Sequence, residues 1–472
     1  MRLRRFAIGL TAGCALLAGC TGGRPDSPTV SSDSPTVGSA APTASRSSSS
    51  DGRSASSQPA SDADWLQYHG DPERSGYAAS MPPATGRLTA RSVPLDGQVY
   101  AAPIVVAGTV LVATEHNTVY GLDLSGRQRW RINLGAPTNR RDLPCGNIDP
   151  LGITGTPVYD PASRSAFLVA SLGSPVRHEL VALDPSTGQL RWRRSVDLPG
   201  ADPQAMQQRG ALSVQAGRVW VPFGGLAGDC GDYKGRLVGV PTGNGTPISY
   251  TVPTTREAGI WTPPGATSYR GKLLVAVGNG ESTGGRYDYS DSVLALAGDR
   301  LMDSFSPTSW REDNANDLDL GSQGPALVGD KWVFAAGKSG TGYVLAADRL
   351  GGIGGQVWQG QVCRSFGGTA VVGNLVYLPC ADGVRAVQIG PTGSAAVRWQ
   401  APNDVAGSPV VGGGRIYAVD QSAGSLVALD PARGTVRERV SIGAVSRFAT
   451  PAISGSTLYV PTLAGLAIVR TR

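Results

Sequence analysis

Lysine is nearly missing from this chain: of its 42 Lys and Arg residues only four are lysine, and no cluster of them resembles a nucleic-acid footprint. Nucleic acid is therefore not expected as a partner. Histidine is confined to His69, His116 and His178, and no Cys-x-x-Cys pair occurs, so the usual Cys/His metal sets are missing. Without a Cys-x-x-Cys-His there is no site for covalent c-type haem. Helical periodicity is almost absent. Beyond Phe6–Leu17 no segment is apolar enough to cross a membrane, and that run is itself too short to span one as a stable helix.

What the chain has instead is a phrase that returns, in full or in part, eight times after residue 64. A Pro or small residue opens a strand, a Gly-containing turn and a second strand follow, and an apolar strand often ends in Leu-Asp. Thr-Gly or Ser-Gly and a Trp close the unit. Its clearest copy runs from Ala102-Pro103-Ile104-Val105 through Val119-Tyr120-Gly121-Leu122-Asp123 and Gly126 to Trp130. Later copies open at Thr156, Gly210, Pro263, Gly324, Gly368, Ser408 and Thr450, roughly 40–60 residues apart. That spacing suits one four-stranded sheet per repeat. Short apolar runs punctuated by Gly and Pro make the fold all-β.

Four-stranded antiparallel sheets repeated around an axis describe a β-propeller. We expect eight blades, with seven as the fallback count. The competing architecture is a linear solenoid, whose terminal repeats should be capped. Here the last repeat is cut short after two or three strands, and residues 86–93, ahead of the first full repeat, are placed to supply its missing outer strand.

Residues 1–20 read as an export signal: Arg2, Arg4 and Arg5 precede the apolar run, which ends in Leu17-Ala18-Gly19-Cys20. That ending resembles the bacterial lipoprotein cleavage box, so Cys20 is expected to be lipidated and to anchor the chain at the extracytoplasmic face of the cell membrane. The alternative is an ordinary secretory signal in which Cys20 is incidental. Residues 21–63 hold fourteen serines and no aromatic, the composition of a disordered tether between the anchor and a domain at 64–472. Loss of the signal lowers the formal charge from +6 to +3. Of the four remaining cysteines, Cys363 stands just before one repeat and Cys380 ends the second strand of the same repeat, so they are expected to pair, leaving Cys145 with Cys230. Disulfides suit an exported chain.

The Ala-Leu-Asp…Thr-Gly…Trp repeat resembles that of the pyrroloquinoline-quinone (PQQ) dehydrogenases and their propeller relatives over residues 64–472. The phrase Trp65-Leu66-Gln67-Tyr68-His69-Gly70 through Gly76 resembles the opening of those domains. The relatives include dehydrogenases and a scaffold lipoprotein of outer-membrane protein assembly. In the dehydrogenases a Trp lies beneath the quinone and an Asn eighteen residues later binds calcium. Trp261 and Asn279 have that spacing. The resemblance further implies a catalytic carboxylate at Asp317 or Asp319, an oxyanion-stabilising and cofactor-binding Lys338, and calcium ligands at Asn279, Asp319 and Asp229. A flat indole suits a planar cofactor, and hard oxygens suit calcium.

Two features depart from the dehydrogenase pattern. No two cysteines are adjacent, whereas the enzymes place a vicinal disulfide over the quinone, and the calcium Glu is at best Asp229. Each residue also has a structural reading: Asn279-Gly280 as a type I′ hairpin, Trp261 as a plug between blades, Asp317 and Asp319 as turn caps, Lys338 as a solvated side chain. The leading expectation is a binding or assembly platform for an envelope protein or a small-molecule ligand. The alternative is a PQQ- and calcium-dependent dehydrogenase of an alcohol or sugar.

Overall fold

The computed structural model describes residues 63–471. The proposed signal, Cys20 and all but the last residue of the tether lie outside the described residues. Eight sheets follow one another along the chain. The first blade is built from Ile104–Val106, Thr109–Ala113, Thr118–Asp123 and Gln128–Asn133, and six more follow in sequence order. The eighth is composite. Ala452–Ser454, Thr457–Thr462 and Gly465–Arg470 receive their outer strand from Thr89–Pro94, paired antiparallel from Thr89↔Arg470 to Pro94↔Gly465. The molecule is an eight-bladed β-propeller, sealed where the sequence led us to expect it. Three sheets also carry a short fifth strand, which the four-strand repeat did not foreshadow.

The middle strands of each blade are buried on both faces, and this is why they read as continuous apolar runs, whereas outer strands such as Gln128–Asn133 and Leu190–Ser195 are largely exposed. In the second blade Ala166, Leu168 and Ala170 pack toward the first, while Phe167 and Val169 pack toward the third. In the fifth, Val333 and Ala335 face the fourth blade and Phe334 and Ala336 the sixth. One cluster joins the seventh, eighth and first blades through Tyr417, Val419, Leu458, Val460, Val110 and Val112. The ring therefore has no open apolar face.

The repeat's punctuation builds the outer rim. Trp130 lays its ring on Gly188 in the turn of the next blade, where a Cβ would stand 2.3 Å from Trp130 Cε3. Its indole N–H donates to the Pro185 carbonyl at 3.2 Å. Trp399 repeats the contact against Gly434, donating to the Pro431 carbonyl at 2.9 Å. The aspartate of Leu-Asp caps its own turn: Asp184 accepts from the Ser186 N–H at 2.9 Å, and Asp430 from the Ala432 N–H at 2.8 Å.

Residues 65–76 run across the inner strands and close one end of the axis. Trp65 bridges Val105, Leu66 accepts from the Tyr159 N–H, Pro72 from Ser268, Ser75 from Val371 and Gly76 from Val411. At the centre, buried Arg74 donates to the carbonyls of Tyr68, Leu212 and Ala266 and to Gln67 and Ser213. His69 spans Thr369 and Thr450. Burial lowers its pKa to about 3, so it stays neutral.

Gly188→Ala should destabilise the ring by about 2–3 kcal/mol, because φ is +72° and the added methyl meets Trp130. Urea unfolding followed by circular dichroism would read this, and an unchanged midpoint would contradict the docking role given to Trp130.

Candidate functional site

Opposite the plug, the connections that enter the inner strands and the central hairpin loops surround an axial pocket of about 300 Å³. Its lining includes Trp261, Asn279, Asp229, Asp317, Asp319 and Lys338, so all six candidate side chains converge on one cavity.

Asp317 and Asp319 sit in the long connection between Arg300–Ser306 and Ala326–Val328, which folds into the short helix Trp310–Ala315 and a 3₁₀ turn, Leu320–Ser322. Asn314 clamps this connection to the loop between Val277 and Ser292, accepting from Gly280 N–H at 2.7 Å and donating to the Ser282 carbonyl at 2.6 Å. Asp291 fixes its far end by accepting from Leu320 N–H at 2.9 Å. Gly278 lies between Trp261 and Asp319. A Cβ there would stand 2.2 Å from Asp319 Oδ1 and 3.0 Å from Trp261 Nε1, so only glycine lets the two approach.

Asp319 is buried and both its oxygens are engaged. Oδ1 accepts from Asn279 N–H at 2.6 Å, and Oδ2 meets Lys338 Nζ at 2.6 Å. The same ammonium reaches Asp317 Oδ1 at 2.6 Å. Burial pushes the Asp319 carboxyl above its ordinary range against the opposing pull of Lys338. Burial pulls Lys338 down, but Asp319 and the hydrogen bonds to both aspartates outweigh it and leave its pKa raised. Asp229 accepts from the Tyr233 hydroxyl at 2.5 Å. The Cys145–Cys230 disulfide, Cα atoms 5.8 Å apart, braces the Ala227–Asp229 rim of the pocket. Cys363 pairs with Cys380 as expected.

Several structural readings of these residues give way. Asn279-Gly280 is no type I′ turn, since neither has a positive φ and the loop continues to Ser292. Asp319 makes no side-chain cap on the 3₁₀ turn that follows it. Lys338 is ion-paired rather than freely solvated. Trp261 is half-buried on the pocket wall instead of wedged between blades.

The donor set does not fit calcium. The ion takes six to eight oxygens, yet Asp319 is committed to an ammonium and a backbone N–H, and Asp229 to Tyr233. Among the described residues no three His, Cys, Asp or Glu side chains gather in a metal-binding arrangement.

Sequence reasoning missed the other wall. Arg209, Phe366 and Phe448 line the pocket, with Arg447 beside them. A signal existed: Tyr100, Arg209, Phe366 and Phe448 each stand four residues ahead of their blade's inner strand, at Ile104, Ser213, Ala370 and Ala452. Register within the repeat marks that position as channel-facing.

These features define an eight-bladed propeller with one plugged end and one polar axial pocket. A family model described as "Outer membrane protein assembly factor BamB" matches residues 37–277 and 340–472, and the chain belongs to that family. Asn279, Asp317, Asp319 and Lys338 all fall in the unmatched interval. The chain is 26% identical over 189 residues to a polyvinylalcohol dehydrogenase of Sphingopyxis sp. (strain 113P3), a match spanning 32% of this chain and 28% of that protein. Its fold is similar to the quinohemoprotein alcohol dehydrogenase of Comamonas testosteroni, at TM-score 0.64 and 16% identity over 86% of this chain and 80% of the other. It is also similar to BamB of Moraxella catarrhalis, at TM-score 0.54 and 18% identity over 81% and 99%.

Lys338→Met should leave Asp319 buried without its counter-ion and cost about 2–3 kcal/mol, less than a fully buried pair because Lys338 is partly exposed. A folded-state carboxyl with a raised pKa binds its proton more tightly than the unfolded chain does. Its stability contribution therefore grows as pH falls toward the ordinary carboxylate range and is lost as pH rises through the folded value. Melting temperatures should show the deficit of the variant shrinking between pH 8 and pH 5; a pH-independent deficit would argue against the pairing.

Proposed function

We propose that this protein is a lipid-anchored extracytoplasmic propeller that acts as a binding platform, with the axial pocket as its ligand-facing element. The observation that carries this reading is the commitment of Asp319. A carboxylate held by Lys338 and by Asn279 N–H is neither a free base nor an open calcium ligand. The family match supports the same view. Attachment to the membrane rests on the Leu17-Ala18-Gly19-Cys20 box and the serine-rich composition of the stretch after it.

A PQQ- and calcium-dependent dehydrogenase is the second reading. What favours it is the shared cavity: Trp261, Asn279, Asp319 and Lys338 line one pocket. The purified full chain, mixed with PQQ and calcium and passed through gel filtration, should retain no quinone absorbance and reduce no dye acceptor with primary alcohols or sugars. Retained chromophore that disappears in Trp261→Ala, together with turnover, would establish the enzyme instead. Separately, Cys20→Ser should move the protein from the membrane to the soluble fraction. Continued membrane association of that variant would refute the lipid anchor.

A further inference from the structure

Ring closure gathers arginines that the chain keeps far apart. The outer strands of the eighth, first and second blades, Thr89–Pro94, Gln128–Asn133 and Leu190–Ser195, carry exposed Arg91, Arg129, Arg131, Arg191 and Arg193 and no acidic residue. The rest of the outer edge is not like this. Ile248–Thr251 and Trp358–Gln361 are uncharged, Ala395–Gln400 has one arginine, and Arg300–Ser306 and Val436–Ser441 set Asp303 and Glu438 among theirs. Nearby carboxylates offset only part of the charge. Arg191 meets Asp184 at 2.8 Å and Arg193 meets Glu179 at 3.6 Å, both pairs partly exposed, and Arg129 donates to the Thr109 hydroxyl. Among the described residues Arg91, Arg131 and Arg470 have no ion pair. The pairing of Thr89 with Arg470 and of Arg91 with Ile468 puts Arg91 and Arg470 on one face, where they line a groove of about 190 Å³ with Ser125 of the first blade. Leu124, beside Ser125, is 44% exposed, and the Tyr459 hydroxyl holds its turn by donating to the Leu124 carbonyl at 3.0 Å. Leu190, 37% exposed, opens the outer strand of the second blade.

We propose that this sector of the outer edge docks on an anionic phospholipid surface, with lipid phosphates on Arg91, Arg470 and Arg131 and with Leu124 and Leu190 entering the headgroup layer. A guanidinium matches phosphate oxygens two at a time. Arginines near an anionic leaflet gain from its surface potential, and apolar side chains set among basic ones add a burial that a dissolved polyanion does not offer. The leucines therefore decide for a bilayer over a soluble polymer. The route of the chain agrees. It enters the ring at the first blade, where Trp65 bridges Val105 and Asp64 accepts from Ala107 N–H at 2.9 Å. A lipid carried on the preceding residues is thus tethered to the sector that bears the arginines. The choice of occupant rests on the extracytoplasmic, lipid-anchored reading and is independent of the axial pocket.

Sedimentation of the full chain with Cys20→Ser, which cannot be acylated there, tests this with vesicles of phosphatidylcholine alone and of equal parts phosphatidylcholine and phosphatidylglycerol. Phe6–Leu17 is common to every sample, so it cancels in the comparison. Binding to the anionic vesicles should exceed binding to the neutral ones at least about tenfold and should fall steeply with salt. Arg91→Gln combined with Arg131→Gln should weaken it about twentyfold, roughly fivefold for each arginine. Leu124→Ser should weaken it several-fold, whereas Arg300→Gln, at an exposed position of the fourth blade, should leave it unchanged. Equal binding to both vesicles, indifference to the double variant, or capture by soluble polyphosphate without a preference for anionic vesicles would each overturn the docking surface. Its failure is separable from that of the lipid anchor. A wash in about 1 M salt, where charges are screened beyond about 3 Å, removes edge docking, so fractionation of Cys20→Ser then reports acylation alone.

Discussion

Everything in this molecule depends on the pairing of Thr89–Pro94 with Gly465–Arg470. Each blade buries apolar side chains on both faces, so no blade is stable without two neighbours. A row of such sheets left open would expose one greasy face at each end. Joining the two ends of the repeat region converts both faces into the cluster that spans the seventh, eighth and first blades. The same antiparallel ladder also removes two long strand edges, which are otherwise templates for aggregation. Closure is therefore both the last packing event and the condition for having an axis at all.

An axis lined by eight inner strands presents backbone edges that need partners. At one end the chain satisfies them with its own segment, whose Arg74 donates to the carbonyls of Leu212 and Ala266, ahead of blades three and four. At the other end the partners are side chains from the connections between blades. The functional capacity of the fold is concentrated there, as expected where loops are positioned by a rigid scaffold. Longer connections add polar groups: the one between the fourth and fifth blades contributes a helix, Asp317 and Asp319.

Much of this was legible in the residues. The repeat announced the blades because its Gly, Leu-Asp and Trp each have a fixed mechanical duty, seen where Trp130 rests on Gly188 and Asp184 caps the turn beneath it. The closing strand was legible because the final repeat was one strand short. The eighteen-residue interval from Trp261 to Asn279 did bring both onto one pocket. The state of Asp319 was not legible. Local spacing suggests a turn cap, but a close approach allowed by Gly278 turns its carboxylate to Asn279 and Lys338 instead. Arg209, Phe366 and Phe448 escaped notice for a different reason: they match no catalytic pattern, and only their shared offset from the inner strands reveals what they face.

The two walls of the pocket differ in charge. On the side of blades three to five, each aspartate has found a donor, and the group that would have to act as a base is the most deeply buried of them. Among the described residues Arg209, which leads into blade three, and Arg447, which leads into blade eight, contact aromatic rings and make no hydrogen bond or ion pair. The Cys145–Cys230 bridge fits that division, since it stiffens the rim instead of lying across the cavity, and leaves the mouth open to solvent and ligand.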